Sequence, residues 1–230
     1  MKSMVFDAGP IISLAMNDLL WLLEELKKSF KGEFYISVTV KEELVDKPLS
    51  TKKFKFEALQ VLKCINDGIL TVITNDEIKN TTLHLLDLAN NSFKAYNNPI
   101  RIVHQGEIEG LASSLFLESG AFVVDERTTR ILIENPKRLW DILKNSLHTK
   151  IDVDEHNLDE FQSITKATNV IRSVELVTVA YELGLLNKYL ANIENPKRTL
   201  LESVLWGVKL NGCAVSRREI DEIIKLEKQG

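Results

Sequence analysis

The regular alternation of short apolar segments with helical patterns is the feature that most restricts how this chain can fold. Four segments rich in apolar, β-branched or aromatic residues predict strands, at residues 3–6, 34–40, 69–74 and 121–124. Apolar residues at helical spacing lie between and after them, in the order β-α-β-α-β-α-α-β-α, and from Arg127 onward we expect helices only. Because strands joined through helices run parallel, the alternation predicts an α/β fold with a parallel sheet covered by helices.

Charge and composition exclude some classes of protein. The 230 residues carry a net charge of −4, so the chain lacks the overall basic field of many nucleic-acid-binding proteins, although a local basic rim stays open. Cys64 and Cys213 are isolated in the sequence, which suits two core residues in a reducing compartment. No apolar run reaches the roughly 18 residues that span a membrane, and we expect a soluble, cytoplasmic protein.

Acidic residues follow the predicted strands or begin the predicted helices. Asp7 directly follows the first strand, and Asp125 and Glu126 follow the strand at 121–124. The first turns of two predicted helices hold the other acids, Glu42, Glu43, Glu107 and Glu109. Because ligand sites of parallel sheets lie outside the carboxyl ends of the strands, four separate elements could bring acids to one edge of the sheet.

Each of these acids also has a structural explanation. A carboxylate in a first helical turn is stabilised by about 0.3–1 kcal/mol, and Asp7 and Asp125 could both cap helices. As a group, however, the carboxylates would repel one another unless a cation lay among them. Oxygen ligands without His or Cys favour Mg²⁺ or Mn²⁺, which can activate water and hold a phosphate group. The residues alone therefore indicate a metal-dependent phosphodiesterase as a hypothesis.

Three blocks of the sequence resemble the signature blocks of PIN-domain nucleases. They read VFDAGPIISLA, VKEEL and GEIEGLASSLFLESGAFVVDERTTR, and they cover residues 4–134 in order and spacing. The closest resemblance is to the subgroup with a Gly-Glu-x-Glu helix followed by a strand and Asp-Asp-Arg, which includes toxin-like PIN proteins. A weaker resemblance runs from Arg172 to the end, through RSVELVTVAYELGLL and LLESVLWGVKLNGCAVSRREIDEII.

The resemblance implies a three-layer α/β/α fold with a mostly parallel sheet of about four to five strands. It also implies cleavage of single-stranded RNA with Mg²⁺ or Mn²⁺, and many members are toxins with an antitoxin protein as partner or are homodimers. The metal-binding acids carried over by motif are Asp7, Glu43, Glu107 and Asp125, with Glu126 sharing the fourth position. The residues that match cleft-lining, substrate-binding positions are Ser13, Arg127, Arg130 and Ser173.

The chain departs from the subgroup in three places. Glu126 stands where the second Asp of Asp-Asp-Arg is usual, and Arg172-Ser173-Val174-Glu175 replaces Gly-Thr-x-Gly, which keeps the hydroxyl but loses both glycines. About thirty extra residues also lie between Arg130 and Arg172. We therefore expect a PIN-like core at 1–135, a helical and acidic insertion at 136–170, and C-terminal helices at 171–230 that complete the same domain.

Two alternatives to a ribonuclease stay open. A non-catalytic PIN-fold module that binds RNA or protein would agree with Glu126, the lost glycines and the acidic balance. A phosphatase with an Asp nucleophile is disfavoured because Gly9 stands where that chemistry would favour a second Asp. Asp152, Asp154, Glu155 and His156 could form a second metal site, but a solvated surface that ends in a helix start explains them better.

The hexapeptide IENPKR occurs twice, at 133–138 and 193–198. The sequences around the two copies do not match, so they do not indicate a duplicated domain. In each copy we expect Asn to cap a helix and Pro to occupy its first turn. The alternative is that each Lys-Arg pair forms part of a basic rim that binds phosphate.

Overall fold

The computed structural model describes residues 2–227 and contains eight strands within them. The strands are β1 (Ser3–Phe6), β2 (Glu33–Ser37), β3 (Thr71–Ile73), β4 (Phe93–Ala95), β5 (Asn98–Pro99), β6 (Ala121–Val123), β7 (Ile151–Val153) and β8 (Val170–Ile171).

Thirteen α-helices lie between and after these strands in the described residues. The first seven are α1 (Ala8–Ala15), α2 (Leu22–Phe30), α3 (Val38–Lys41), α4 (Lys47–Ser50), α5 (Lys55–Asn66), α6 (Asp76–Asn91) and α7 (Gln105–Phe116). The remaining six are α8 (Arg127–Glu134), α9 (Pro136–Leu147), α10 (Glu155–Thr165), α11 (Ser173–Glu182), α12 (Pro196–Leu210) and α13 (Arg217–Leu226). A π-helical turn (Glu42–Asp46) joins α3 to α4, and a 3₁₀ turn (Leu185–Tyr189) follows α11.

The central sheet has five parallel strands in the order β3-β2-β1-β6-β8, which confirms the predicted fold class. Val5 in the middle strand stands beside Tyr35 on one side and Phe122 on the other. All carboxyl ends therefore meet at one edge of the sheet, where ligand sites of such folds form.

Alternate residues of the strands bury their side chains in two separate cores. Phe6 and Val123 belong to the core beneath α1, α2, α11 and α12, whereas Val5 and Phe122 belong to the core beneath α6, α7 and α8. Period-two alternation places neighbouring residues on opposite faces of a sheet, so both faces are covered by helices. The result is a three-layer α/β/α arrangement.

The prediction of helices only after Arg127 was wrong, because β7 and β8 lie in that part of the chain. β8 extends the central sheet beside β6, and β7 pairs with β4 in a small antiparallel sheet of order β5-β4-β7. Strands of two and three residues are too short for a visible alternation of apolar and polar side chains. Their hydrogen-bonded partners are distant in sequence, so tertiary pairing defines them.

The strand expected at 34–40 also ends earlier, at Ser37. The Ser37 hydroxyl accepts a hydrogen bond from the Val40 N–H at 3.2 Å, so Ser37 caps α3, and Val38 already belongs to that helix. Ser is a preferred N-cap residue, and its local hydrogen bond outweighs the β preference of the Val-Thr-Val run. This early helix start determines where Glu43 lies.

Both copies of the repeated hexapeptide begin a helix, as predicted. Asn135 caps α9 and accepts a hydrogen bond from the Arg138 N–H at 3.1 Å, with Pro136 in the first turn. Asn195 precedes Pro196 at the start of α12, although its side chain makes no cap hydrogen bond.

Within residues 2–227, none of the helices combines the length and the apolar character that a membrane crossing needs.

Candidate active site

A cavity of about 390 Å³ lies at the carboxyl edge of the central sheet. The five predicted acids all contribute to its wall: Asp7, Glu43, Glu107, Asp125 and Glu126. The other lining residues are Ala8, Gly9, Ile12, His104, Gly106 and Gly212, so no Lys or Arg lines this cavity. We call it the acidic cavity. Residues more than 100 positions apart in the chain thus meet at the place expected from the strand order.

Asp7 occupies the junction between β1 and α1. Its backbone N–H donates to the Val123 carbonyl at 2.9 Å, which continues the pairing of β1 with β6 by one residue. Its carboxylate caps α1 and accepts from the Gly9 N–H at 3.3 Å. A Cβ at Gly9 would lie 3.3 Å from the Cβ of Asp125, so glycine allows the two acids to approach.

Asp125 is held by serine hydroxyls and is 3% exposed. Its Oδ2 accepts from the Ser13 hydroxyl at 2.9 Å and from the Ser173 hydroxyl at 2.7 Å. Its Oδ1 accepts from the Ser173 N–H, at the start of α11, at 2.7 Å. Both carboxylate oxygens therefore have hydrogen-bond partners that satisfy a buried charge.

Glu107 and Glu126 are connected through Thr129 on α8. The Thr129 hydroxyl donates to Glu107 Oε2 at 2.7 Å, and the Thr129 N–H donates to Glu126 Oε2 at 2.7 Å. Glu107 also accepts from the backbone N–H of His104 at 3.3 Å, which completes the start of α7. The longer side chain of Glu126 caps α8, so this departure from the Asp-Asp-Arg pattern has a local structural role.

Glu43 reaches the acidic cavity from the π-helical turn after α3. Its Oε2 lies 3.9 Å from the position that a Cβ would take at Gly106, the second residue of α7. π-Helical turns are rare and are found frequently at functional sites. Glu109 lies two residues after Glu107 on α7. It accepts a hydrogen bond from the Thr39 hydroxyl and does not line the cavity. The fold thus separates Glu43 and Glu107 from their acidic neighbours Glu42 and Glu109.

Burial is the main influence on the pKa values of Asp7 and Glu107 in the acidic cavity. Desolvation raises the pKa of the Asp7 carboxyl from 3.8 to about 7. Backbone N–H groups of Ala8 and Gly9 oppose that shift, whereas the negative charges of Glu107 and Glu43 add to it. Burial likewise raises the pKa of Glu107, against its hydrogen bond from Thr129. A cavity that keeps a proton on Asp7 near neutral pH is one in which a cation would relieve the repulsion.

The four residues expected to bind substrate lie in two different surroundings. Ser13 and Ser173 are fully buried, and their hydroxyls hold Asp125. Arg127 and Arg130 line a second cavity next to the acidic one, together with residues of the C-terminal helices. Their contact with substrate stays a prediction.

Two residues of the site carried no clear signal in the sequence. Thr129 bridges two acids through its hydroxyl and its backbone N–H, and a threonine inside a helical pattern does not stand out. His104 lines the acidic cavity and is exposed. A histidine three residues before Glu107 is most simply interpreted from the sequence as a water-exposed or core residue.

The carboxylate oxygens of the acidic cavity suit a hard divalent cation in type and in charge, but they are not arranged as a complete metal site. No group of three or more His, Cys, Asp or Glu side chains in residues 2–227 is arranged so that it could hold a metal ion. Among the same residues, the Glu43 carboxylate, Oε1 of Glu107 and Oε1 of Glu126 accept no hydrogen bond, whereas both oxygens of Asp125 accept at least one. The carboxylates with the fewest hydrogen bonds are therefore those of Asp7, Glu43, Glu107 and Glu126.

We compared the chain with protein-family models, with curated proteins and with solved structures, and none of the three comparisons gave a match. The fold and the acidic cavity define an α/β/α protein with a carboxylate-lined cavity at the sheet edge.

Proposed function

We propose that this protein is a metal-dependent endoribonuclease that hydrolyses phosphodiester bonds of single-stranded RNA with Mg²⁺ or Mn²⁺. One observation carries the proposal: five carboxylates from four separate elements line one cavity in which no Lys or Arg compensates their charge. Burial, with a smaller addition from the charges of Glu107 and Glu43, disfavours the charged form of Asp7, and a bound cation would offset that cost. The resemblance of the three sequence blocks to PIN-domain nucleases supports the same activity.

Asp7, Glu43 and Glu107 would hold the cation, with Glu126 beside them. Carboxylate oxygens are the preferred ligands of Mg²⁺ and Mn²⁺. When bound, such a cation stabilises the charge on a phosphate group and activates water for hydrolysis.

The remaining residues would prepare the site. Ser13 and Ser173 keep Asp125 in one orientation through hydrogen bonds to its carboxylate, and both act as positioning residues. Thr129 does the same for Glu107 and Glu126. Asp7 holds a proton up to about pH 7 in the absence of a cation, and it must lose that proton before it can act as a ligand.

The alternative is a non-catalytic module of the same fold that binds RNA or protein. It is favoured by the complete hydrogen bonding of Asp125 and by the absence, in the described part of the chain, of three converging metal donors. In such a module the acids at 107, 125 and 126 would serve to start helices and to anchor α11.

Cleavage of a fluorescent single-stranded RNA distinguishes the two. The wild-type protein should cleave with Mn²⁺ or Mg²⁺ and lose activity with EDTA, and Glu107→Gln should reduce the rate by 100-fold or more, since it removes a cation ligand. Glu109→Gln is the matched control, because Glu109 lies on the same helix but outside the acidic cavity. We expect this control to cleave at the wild-type rate.

Isothermal titration with Mn²⁺ completes the test. Binding to the wild-type protein and its loss in Asp7→Asn would agree with the nuclease. Equal Mn²⁺ affinity of Glu107→Gln and wild type, or cleavage that persists in EDTA, would contradict it. RNA binding without any cleavage would favour the alternative module.

A further inference from the structure

We propose that a second cavity, lined by arginines and next to the acidic one, binds a phosphate group of the nucleic-acid strand. It has a volume of about 590 Å³, and we call it the arginine cavity. Its basic lining residues are Arg127, Arg130, Arg138, Lys209 and Arg218. The choice of ligand rests on the proposed nuclease function, whereas the cavity itself does not.

Four helices contribute these side chains. Arg127 and Arg130 lie on α8, Arg138 on α9, Lys209 on α12 and Arg218 on α13. The five are spread over more than 90 residues of sequence, and no run of basic residues in the chain predicts their meeting. The positive charge is therefore a product of the tertiary fold in a protein whose net charge is −4.

The acids of the arginine cavity already have partners. Glu219 forms an ion pair with Arg172 at 2.9 Å, and hydrogen bonds from Ser216 and from Arg172 lower its pKa to about 2 against the opposing effect of burial. Glu222 pairs with Arg218 at 2.8 Å. Neither acid is left to neutralise the arginines on α8 and α9.

Three basic groups keep donors for a ligand. Arg130 pairs with Glu134 at 3.1 Å through one terminal nitrogen, but its buried Nε has no hydrogen-bond partner in the described residues. Among residues 2–227, the side chains of Arg127 and Arg138 form no ion pair. The planar donor groups of arginine match the oxygens of phosphate.

The two cavities share a wall. Glu126 lines the acidic cavity, and the next residue, Arg127, lines the arginine cavity. In the same way, Gly212 lines the acidic cavity and Cys213 lines the arginine cavity. The Ala214 N–H donates to the backbone carbonyl of Asp125 at 3.1 Å, and this bond holds the two walls together. A strand with one phosphodiester at the acids can therefore reach the arginines with a neighbouring phosphate.

The repeated hexapeptide supplies a matched control. The first copy contributes Arg138 to the arginine cavity, whereas the Lys-Arg pair of the second copy, at 197 and 198, begins α12 and lines neither cavity. Only the first copy fits the phosphate-binding interpretation of IENPKR. Two double variants with the same loss of positive charge, one inside and one outside the arginine cavity, can thus be compared.

The test measures binding in EDTA, so that cleavage plays no part. The probes are a fluorescent single-stranded RNA 12-mer with a 5′-hydroxyl, the same 12-mer with a 5′-phosphate, and a polyglutamate peptide as competitor. Arg127→Gln combined with Arg138→Gln should weaken RNA binding about tenfold or more and lower the slope of log K against log salt by roughly 1–1.5. Lys197→Gln combined with Arg198→Gln should bind as the wild type does.

The two RNA probes distinguish the sources of the phosphate. A 5′-phosphate that tightens wild-type binding, with the advantage lost in the arginine variant, identifies a terminal phosphate. Equal affinities for both probes, weakened equally in the variant, identify an internal phosphate of the strand. Unchanged binding in the arginine variant overturns the proposal, and so does a polyglutamate peptide that binds better than either RNA.

Failure of the nuclease and failure of the phosphate site give different results. If the nuclease proposal is wrong, RNA binding in EDTA still depends on Arg127 and Arg138 while no cleavage occurs with Mn²⁺. If the phosphate site is wrong, the arginine variant cleaves RNA with unchanged KM.

Discussion

Asp7 and Asp125 both follow buried strands, but the fold treats the two carboxylates differently. Asp125 receives three hydrogen bonds from Ser13 and Ser173. Asp7 is 7% exposed, receives backbone hydrogen bonds only, and lies near two other acids. Burial and the two neighbouring acids disfavour the charged form of Asp7, and its backbone hydrogen bonds oppose this only in part. Asp7 is therefore a residue at which a bound cation would stabilise the folded protein.

Asp7 makes the stability of the metal-free protein fall as pH rises. In the unfolded chain its carboxyl titrates near pH 3.8, and in the folded protein at about 7, so between these values the folded state holds the extra proton. The free energy of unfolding should decrease from about pH 4 to about pH 7, with a contribution of about 4 kcal/mol as an upper bound. Asp7→Asn should remove this contribution, because Asn does not ionise. It should also keep the start of α1, because Asn caps helices as Asp does.

Urea unfolding in EDTA at pH 4.5, 6 and 8 measures this effect. We expect Asp7→Asn to be more stable than the wild type at pH 8 and similar to it at pH 4.5. Asp67→Asn, at an exposed position, is the control. Parallel stability curves for wild type and Asp7→Asn would contradict the raised pKa. Added Mn²⁺ should stabilise the wild type and leave Asp7→Asn unchanged.

Ser173 tests how Asp125 is held. Ser173→Ala removes the hydroxyl that donates to Oδ2 and leaves the backbone bond to Oδ1, so a buried carboxylate loses one of its partners. We expect the free energy of unfolding to fall by about 1–3 kcal/mol. Ser203→Ala is the control, because the Ser203 hydroxyl bonds to the carbonyl of Thr199 on an exposed helix face. A Ser173→Ala protein as stable as this control would mean that the serine does not support Asp125.

At the scale of elements, the site depends on how closely α7 approaches β6. A Cβ at Gly110 would lie 2.8 Å from the ring of Phe122, which is fully buried in β6 and has no room to move. The absence of a side chain at Gly110 lets α7 lie against the sheet and carry Glu107 to the acidic cavity. The small residues of the helix favour close packing, but the sequence alone does not identify the partner.

Gly110→Ala should therefore destabilise the protein. The overpacking cost of about 1–3 kcal/mol exceeds the gain of about 1 kcal/mol that Ala brings to a helix. Gly106→Ala on the same helix is the control for stability, since its Cβ would lie at ordinary contact distances, 3.4 Å from the Thr39 methyl and 3.9 Å from Glu43 Oε2. Thermal unfolding of both variants decides: a Tm for Gly110→Ala at or above that of Gly106→Ala would show that α7 can move away from β6.

At the scale of the whole molecule, the segment 136–170 is part of the core. The sequence suggested an acidic insertion there. In the fold, Ile151 starts β7, and Phe161 on α10 is fully buried in the core that also contains Phe122 and Val5. The acidic residues lie on its outer side: Asp154 caps α10 by accepting from the Asn157 N–H at 3.3 Å.

Phe161→Ala should thus cost about 3–5 kcal/mol in the free energy of unfolding, as expected for a large side chain removed from a core. Leu147→Ala in the same segment is the control, because Leu147 is 48% exposed. Chemical unfolding monitored by circular dichroism measures both variants. If Phe161→Ala is as stable as Leu147→Ala, the segment is a surface addition after all.

By itself, the sequence determined the α/β class, the parallel sheet and the acids at its carboxyl edge, because these follow from local periodicity and from residues directly after strands. The tertiary structure decided which acids line one cavity, that serines 48 and 112 residues away hold Asp125, and that arginines of separate helices meet beside it. The tertiary structure also decided where short strands such as β8 form. Desolvation, long-range hydrogen bonds and charge pairing depend on neighbours that only folding brings together.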